Sequence, residues 1–360
     1  MAVLSRGLFS FLLLFTVWTS GGLSIQAEQT ETELLRSAGF PAVQEQRERI
    51  FVVPGGQSVG VQLRTKGLYV VGFHFIETDT ERISPGEAAG LLPGDVITRV
   101  NGRKVMEPQA IRPYVQKAAD QKKSVKLTVL RGKKTMDLSI KPVKDSGTNI
   151  SKLGLYIKNK TAGIGTLTFY EPKTKKFGAL GHVISDLQSG KPFAPVKGTL
   201  YPAQITGIKK AVEGVPGEKT ADIPIEEKWG NVTSNTPFGL FGTLERDLDG
   251  AKIYPAAHPD EVQEGPAQIW TVTKDHKIET YDISIIRTVQ QTKPAIKGMI
   301  IKMTDPRLID KTGGIVQGMS GSPILQNGRV VGAVTHVFVN DPLSGYGVHI
   351  DWMLKDAGLL

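Results

Sequence analysis

The 360-residue chain contains no cysteine. That absence removes disulfides, thiolate metal sites and a cysteine nucleophile, although it leaves the compartment open. There is no His-Glu-x-x-His and no cluster of ligand residues, so no metal and no cofactor is expected. Beyond one N-terminal stretch, no apolar run approaches the roughly 20 residues of a membrane-spanning helix. The net charge is +9, yet no long basic tract accompanies it; the densest groups are Lys122-Lys123, Lys133-Lys134 and Lys173 to Lys176. Scattered lysines of this kind read as solvated surface, and no nucleic-acid partner is expected.

What is present points to β-structure. Forty glycines and 21 prolines punctuate many short Val/Ile/Thr runs, which favours strands joined by turns over helices. The length suits two folded domains behind a targeting segment. Arg6 precedes an apolar run from Leu8 to Trp18, followed by Ser20-Gly21-Gly22 and, further on, Ala27. This is the order of a secretory signal, so residues 1–27 are expected to be a signal peptide or signal anchor. Polar residues 28–50, with a short helical pattern at Thr32 to Arg36, read as a linker or membrane-proximal stalk.

Residues 51–144 read as a first domain. Val59, Val61 and Leu63 alternate as in a strand, and Leu68 to Phe73 form a buried one. Ala88 to Leu91 make a helical turn stopped by Pro93. Gly94-Asp95 leads into a strand at Val96 to Val100, and Asn101-Gly102 is a hairpin turn signal because both positions accept positive φ. Pro108 opens a helix to about Ala119, and Val125 to Leu130 with Met136 to Ile140 close the domain as a hairpin. The run from Ala88 to Gly102 resembles the most recognisable stretch of bacterial PDZ domains. The resemblance implies that Ser58, Val59, Gly60 and Val61 form the loop holding a peptide carboxylate. The peptide would be added as a strand between the Val61 strand and the Pro108 helix.

Residues 148–360 read as a second, β-rich domain. Its sharpest signal is Gly318-Met319-Ser320-Gly321-Ser322-Pro323, which resembles the nucleophile turn of chymotrypsin-like serine proteases. In that reading Ser320 attacks, and the N–H groups of Gly318 and Ser320 form the oxyanion hole. Gly328 to His336 resembles the strand that pairs with substrate in such proteases, making Val334, Thr335 and His336 cleft residues. A serine needs a base. His182, at the end of an apolar strand and beside Gly181, is the best placed of six histidines; His336 and His349 are runners-up. The third member is Asp305 or Asp186. Its role would be to hold the His182 tautomer and stabilise the imidazolium. Met319 stands where such proteases usually carry an aspartate, which excludes activation by a buried new N-terminus.

Thr161 to Tyr170, Gly181-His182, Gly313 to Ile324 and Thr335 to Pro342, in a chain that begins with a signal segment and a PDZ-like domain, resemble the stage IV sporulation protein B family of serine peptidases. The resemblance implies a mostly β fold, an N-terminal PDZ domain followed by a chymotrypsin-like double β-barrel. It implies His182, Asp305 and Ser320 as the working residues. It implies export across the forespore membrane into the intermembrane space, self-cleavage near the N-terminus, and a protein substrate. That substrate would be the regulatory subunit of a membrane-embedded protease that processes the late mother-cell sigma factor. Val183 replaces the second glycine expected after the base histidine. The competing reading is a non-catalytic PDZ adaptor on a degenerate protease scaffold.

Overall fold

The computed structural model describes residues 49–186, 190–193, 197–248 and 251–360. The signal segment, the Thr32 to Arg36 pattern and all but the last two linker residues lie outside them. The remainder is mostly β, built as two six-stranded barrels with a PDZ domain set into the first.

The first barrel closes through β2 (Ser58–Phe73), β6 (Leu155–Glu171), β7 (Lys176–Ala179), β12 (Gly239–Leu244), β11 (Gly230–Thr236) and β8 (Lys197–Pro202), which returns to β2. A short β1 (Phe51–Pro54) lies along β6. Every neighbouring pair around the ring is antiparallel. Inward-facing Val59, Val61, Leu63, Leu167, Phe177 and Leu200 fill it. Each such side chain removed from water contributes about 1.5–3 kcal/mol. The second barrel runs β13 (Gly265–Val272), β14 (Ile278–Thr288), β15 (Met299–Met303), β18 (Asp341–His349), β17 (Arg329–Phe338) and β16 (Pro323–Gln326). Ile269, Tyr281, Ile301, Met319 and Ile324 pack its centre. A hairpin of β9 (Gln204–Lys209) and β10 (Glu218–Asp222) projects from the first barrel onto the second. The C-terminal helix α4 (Ile350–Asp356) seals both, its Trp352, Met353 and Leu354 packing on Val52, Phe169 and Val330.

Two strands are much longer than a barrel needs: β2 has 16 residues and β6 has 17. Their far halves, Tyr69 to Phe73 and Leu155 to Lys158, stay paired outside the barrel. There they become the first strands of the PDZ sheet, continued by β3 (Val96–Val100), β4 (Val125–Arg131) and β5 (Lys134–Ile140). Helices α1 (Pro85–Ala88) and α2 (Arg112–Asp120) complete that domain around Leu68, Ile97, Val115 and Leu127. The changeover lies at Thr65, whose hydroxyl donates to Gly67 O at 2.6 Å, while the register of β6 shifts between Lys158 and Lys160.

This corrects the domain limits read from the sequence. Phe51 to Arg64 belong to the peptidase barrel, and the PDZ domain is inserted between two barrel strands. The Val59-Val61-Leu63 alternation did mark a strand. Its partners, such as Gly165 on β6 and Pro202 on β8 opposite Val59, lie on the order of a hundred residues away or more, which local periodicity does not reveal.

Candidate active site and peptide groove

Ser320 lies between α3 (Pro306–Thr312) and β16, in a turn where Gly318 (φ +94) and Gly321 (φ +93) hold left-handed backbone. Both glycines are required, because an L side chain rarely adopts those angles. At Gly321 a β-carbon would also overlap Thr166 O and Leu180 N. The turn is held from β6: Thr166 N–H donates to Ser320 O at 2.9 Å, Thr166 Oγ1 to Gly318 O at 2.8 Å, and Thr168 Oγ1 to Gly321 O at 2.8 Å. The N–H groups of Gly318 and Ser320 donate to no protein acceptor among the described residues. Unpaired donors flanking a serine are what an oxyanion hole requires.

His182 follows β7 through two consecutive left-handed residues, Leu180 (φ 68) and Gly181 (φ 67). That turn carries the imidazole out of the first barrel and over the second. Gly181 seats against Thr335, where a β-carbon would come 3.0 Å from Thr335 Cγ2. Ser320 Oγ donates to the same residue's carbonyl at 2.8 Å. Thr335 thus meets both the serine and the histidine-bearing turn, at the junction of the barrels. No hydrogen bond joins Ser320 to His182 among the described residues. The serine hydroxyl is parked on Thr335 O, and a side-chain rotation is needed to release it.

His182 Nδ1 lies 2.9 Å from Val183 O. A carbonyl only accepts, so Nδ1 carries the proton and Nε2 keeps its lone pair, the form that can take a proton. Burial lowers the His182 pKa below its usual 6.5, partly offset by the Val183 carbonyl. The His336 ring sits 5.1 Å away, its pKa lowered first by burial and then by His182 and Lys297.

Several expected site residues are placed otherwise. No hydrogen bond joins Asp305 to His182 among the described residues. It caps α3, accepting from Arg307 N at 2.9 Å, and is gripped by the Arg307 guanidinium at 2.7 and 3.0 Å and by Asp282 N at 3.2 Å. Those donors, Arg307 foremost, hold its pKa at about 2. An aspartate before proline followed by a helix is a cap, and tertiary contacts spend its remaining acceptor capacity. Asp186 is buried with Oδ2 2.6 Å from Lys158 Nζ. Among the described residues no carboxylate hydrogen-bonds His182, and the Val183 carbonyl occupies the orienting position.

Of the cleft residues, only His336 faces outward. Val334 and Thr335 are buried; Val334 packs in the second barrel, with its backbone bonded to Gly321 and Ser322. His349 is buried too, with Nε2 3.1 Å from Val289 O. Ser58, Val59, Gly60 and Val61 hold no carboxylate loop. They form the start of β2, paired to β6 on one side and β8 on the other, so their backbone is already committed.

The PDZ groove lies elsewhere. It is a cavity of about 800 Å³ between α2 and the start of β6, lined by Ile111, Val115, Leu153, Leu155 and Ile157 with Arg112 at its side. Gly154 (φ +69) turns the chain into β6, with its carbonyl bonded to His74 N–H at 3.0 Å. Leu155 to Lys158 pair with β2 on one side only, leaving an open strand edge among the described residues. The sequence reading missed Leu153-Gly154-Leu155, whose pattern matches the loop sought at Ser58 to Val61 but lies after the domain's other strands. It also missed the roles of Thr166, Thr168 and Val183, for which no local signal exists. No cluster of three or more potential metal-ligating side chains occurs among the described residues.

Comparison with solved structures gives weak similarities. A PDZ domain of an SdrC-like protein from Listeria monocytogenes is 23% identical over 26% of this chain and 87% of that one, with a TM-score of 0.21. Human heparin binding protein is 10% identical over 54% of this chain and 84% of its own, with a TM-score of 0.30. The Rv3671c protease from M. tuberculosis is 15% identical over 55% and 75%, with a TM-score of 0.27. The family models match more decisively. A PDZ domain model covers residues 81–131, and the SpoIVB peptidase S55 model covers residues 149–354, more than half of the chain. The chain belongs to the SpoIVB peptidase S55 family and is a serine peptidase carrying a PDZ domain.

Proposed function

We propose that Ser320 is the nucleophile of this peptidase, His182 its base, and the N–H groups of Gly318 and Ser320 its oxyanion hole. The observation that carries the proposal is the pair of unpaired N–H groups beside a serine that meets, at Thr335, the turn bearing a histidine in its basic tautomer. On substrate binding Ser320 Oγ turns from Thr335 O to His182 Nε2 and gives up its proton as it attacks the scissile carbonyl. The imidazolium so formed is steadied by Val183 O and passes the proton to the leaving amine. Water, deprotonated by the same histidine, then releases the acyl group.

The PDZ groove takes an extended peptide as an added strand on Leu155 to Lys158, with side chains entering the space beside Ile111 and Val115. Leu153-Gly154-Leu155 is the turn that receives a terminal carboxylate. Family membership and the N-terminal segment support the cellular role. The enzyme is exported from the forespore, cleaves itself near its N-terminus, and cuts the regulatory subunit of a membrane-embedded protease during sporulation signalling. The parked serine also supports a latent state awaiting its substrate.

The test is fluorophosphonate labelling of the chain from residue 28 onward, alongside Ser320→Ala and His182→Ala. Labelling of the parent lost in both variants is the expected result. A parent that cleaves casein while labelling at another residue overturns the assignment. Normal sporulation with Ser320→Ala replaces it with the adaptor reading.

A further inference from the structure

Lys219 has no part in the chemistry above, yet it is 4% exposed and lies directly behind the nucleophile turn. It stands on β10, in the hairpin that crosses to the second barrel. Its N–H donates to Gln317 O at 2.9 Å, and Gln317 N–H donates to Gly217 O at 2.8 Å, a two-bond parallel bridge between the hairpin and the turn. A β-carbon at Gly318 would sit 3.1–3.3 Å from Lys219 Cβ, Cγ and Cδ. The lysine stem therefore covers the Gly318 backbone. Beyond it, Nζ reaches into the second barrel and donates to Thr271 Oγ1 at 2.9 Å. No carboxylate pairs with the amine among the described residues, and burial lowers its pKa to about 7.

The geometry matters because one peptide unit joins Gln317 to Gly318. Its C=O and N–H point in opposite directions. If Gln317 O faces Lys219, Gly318 N–H faces the substrate. If the unit flips, a carbonyl enters the oxyanion hole and the hole is lost. Gly318, with no side chain, does not resist that flip. Something outside the turn has to hold it, and the groups in contact are the Lys219 N–H and stem on one side and Thr166 Oγ1 on the next carbonyl.

We propose that Lys219 is a positioning residue, whose backbone N–H and buried stem hold the Gln317–Gly318 peptide with its N–H turned toward the substrate oxygen. This rests on Ser320 as nucleophile. Of the side chain, the stem adds its packing to the hold of the backbone N–H and is required for it, and the amine serves to anchor the far end of the stem at Thr271. Burial favours the neutral amine, which at a pKa of about 7 already occupies the site in a large fraction of molecules near neutral pH, so an apolar stem of the same length fits it.

The test compares Lys219→Ala with Lys219→Met by casein hydrolysis and by the rate of fluorophosphonate labelling, which also places a phosphoryl oxygen in the hole. Lys219→Ala is expected to lower kcat and the labelling rate together by about 10- to 100-fold, with KM within about threefold and end-point labelling complete. Lys219→Met is expected to restore both rates to within about threefold of the parent. A protein merely unfolded in part shows incomplete end-point labelling instead. If Lys219→Ala yields no soluble protein, Lys219→Val, which shortens the stem within an apolar site, carries the same measurement. Parent-like rates in a folded Lys219→Ala or Lys219→Val overturn the proposal, as does a loss that Lys219→Met shares in full. A parent whose labelling survives Ser320→Ala removes the nucleophile assignment and this proposal with it. Labelling confined to Ser320 leaves the variants to decide Lys219 alone.

Discussion

Asp305→Asn separates the two roles open to that residue. The cap and the Arg307 ion pair hold the Asp305 pKa at about 2 against an ordinary 3.8. At 1.36 kcal/mol per pKa unit that is about 2 kcal/mol of folding stability. Arg307 is 64% exposed, so solvent screening reduces this to about 1–2 kcal/mol. The depressed pKa fixes the sign. This stability is present above pH 4, where the unfolded carboxyl is ionised, and is lost as the pH falls through 2. Asparagine retains the capping acceptor but loses the ion pair. Asp305→Asn should therefore melt about 2–6 °C lower at pH 7 and lose less of its stability than the parent between pH 4 and pH 2. Its kcat, measured on folded protein at 20 °C, should stay within about threefold of the parent. A carboxylate that oriented the base would behave oppositely, because its amide costs about 10⁴ in kcat by favouring the wrong tautomer. Melting followed by circular dichroism and casein hydrolysis on one preparation give both numbers. An unchanged melting temperature with a thousandfold loss of kcat would refute the account of Asp305 as a structural cap.

Three further outcomes follow from the site. The His182 pKa lies below 6.5 through burial, and a base works only when neutral. The kcat/KM of casein cleavage should thus rise with pH through an inflection below 6.5 and level off by pH 7; an inflection above 7 contradicts this. Thr166→Val keeps the shape of a fully buried residue but leaves Gly318 O unpaired. A lost buried bond is worth about 1–3 kcal/mol, so kcat should fall about tenfold with KM unchanged, and an unchanged kcat argues that the turn needs no support from β6. Gly321→Ala forces a β-carbon into Thr166 O and Leu180 N at a left-handed φ. It should cost more than about 3 kcal/mol, read as loss of soluble protein or of cooperative melting.

Much of the molecule was legible without coordinates. The apolar alternations, glycine turns and Pro-initiated helix of the PDZ region, and the Gly-x-Ser-Gly turn with a Gly-His strand end before it, are local patterns. Local backbone preference and side-chain chemistry suffice to produce them. The same locality set the limits of that legibility. Ser58 to Val61 match a carboxylate loop in composition, but whether their backbone is free depends on β6 and β8, far along the chain. The choice between Asp305 and Asp186 rests on the family resemblance, and no local pattern shows that Arg307 and Asp282 bond the Asp305 carboxylate.

By itself, then, the sequence determined the mostly β class and the presence of a PDZ domain and a serine peptidase domain, and it singled out the serine and histidine proposed here for the site. Those follow from periodicity and from residue types at short spacing. Tertiary structure alone decided that the PDZ domain interrupts the first barrel, that Val183 O rather than a carboxylate meets His182, and that Thr166 and Lys219 grip the turn around Ser320. Each of these is a hydrogen bond or packing contact between segments tens of residues apart or more, or, at Val183, a choice of ring orientation made by the surrounding side chains. Nothing in a short window of sequence encodes which distant donor will reach a given carbonyl.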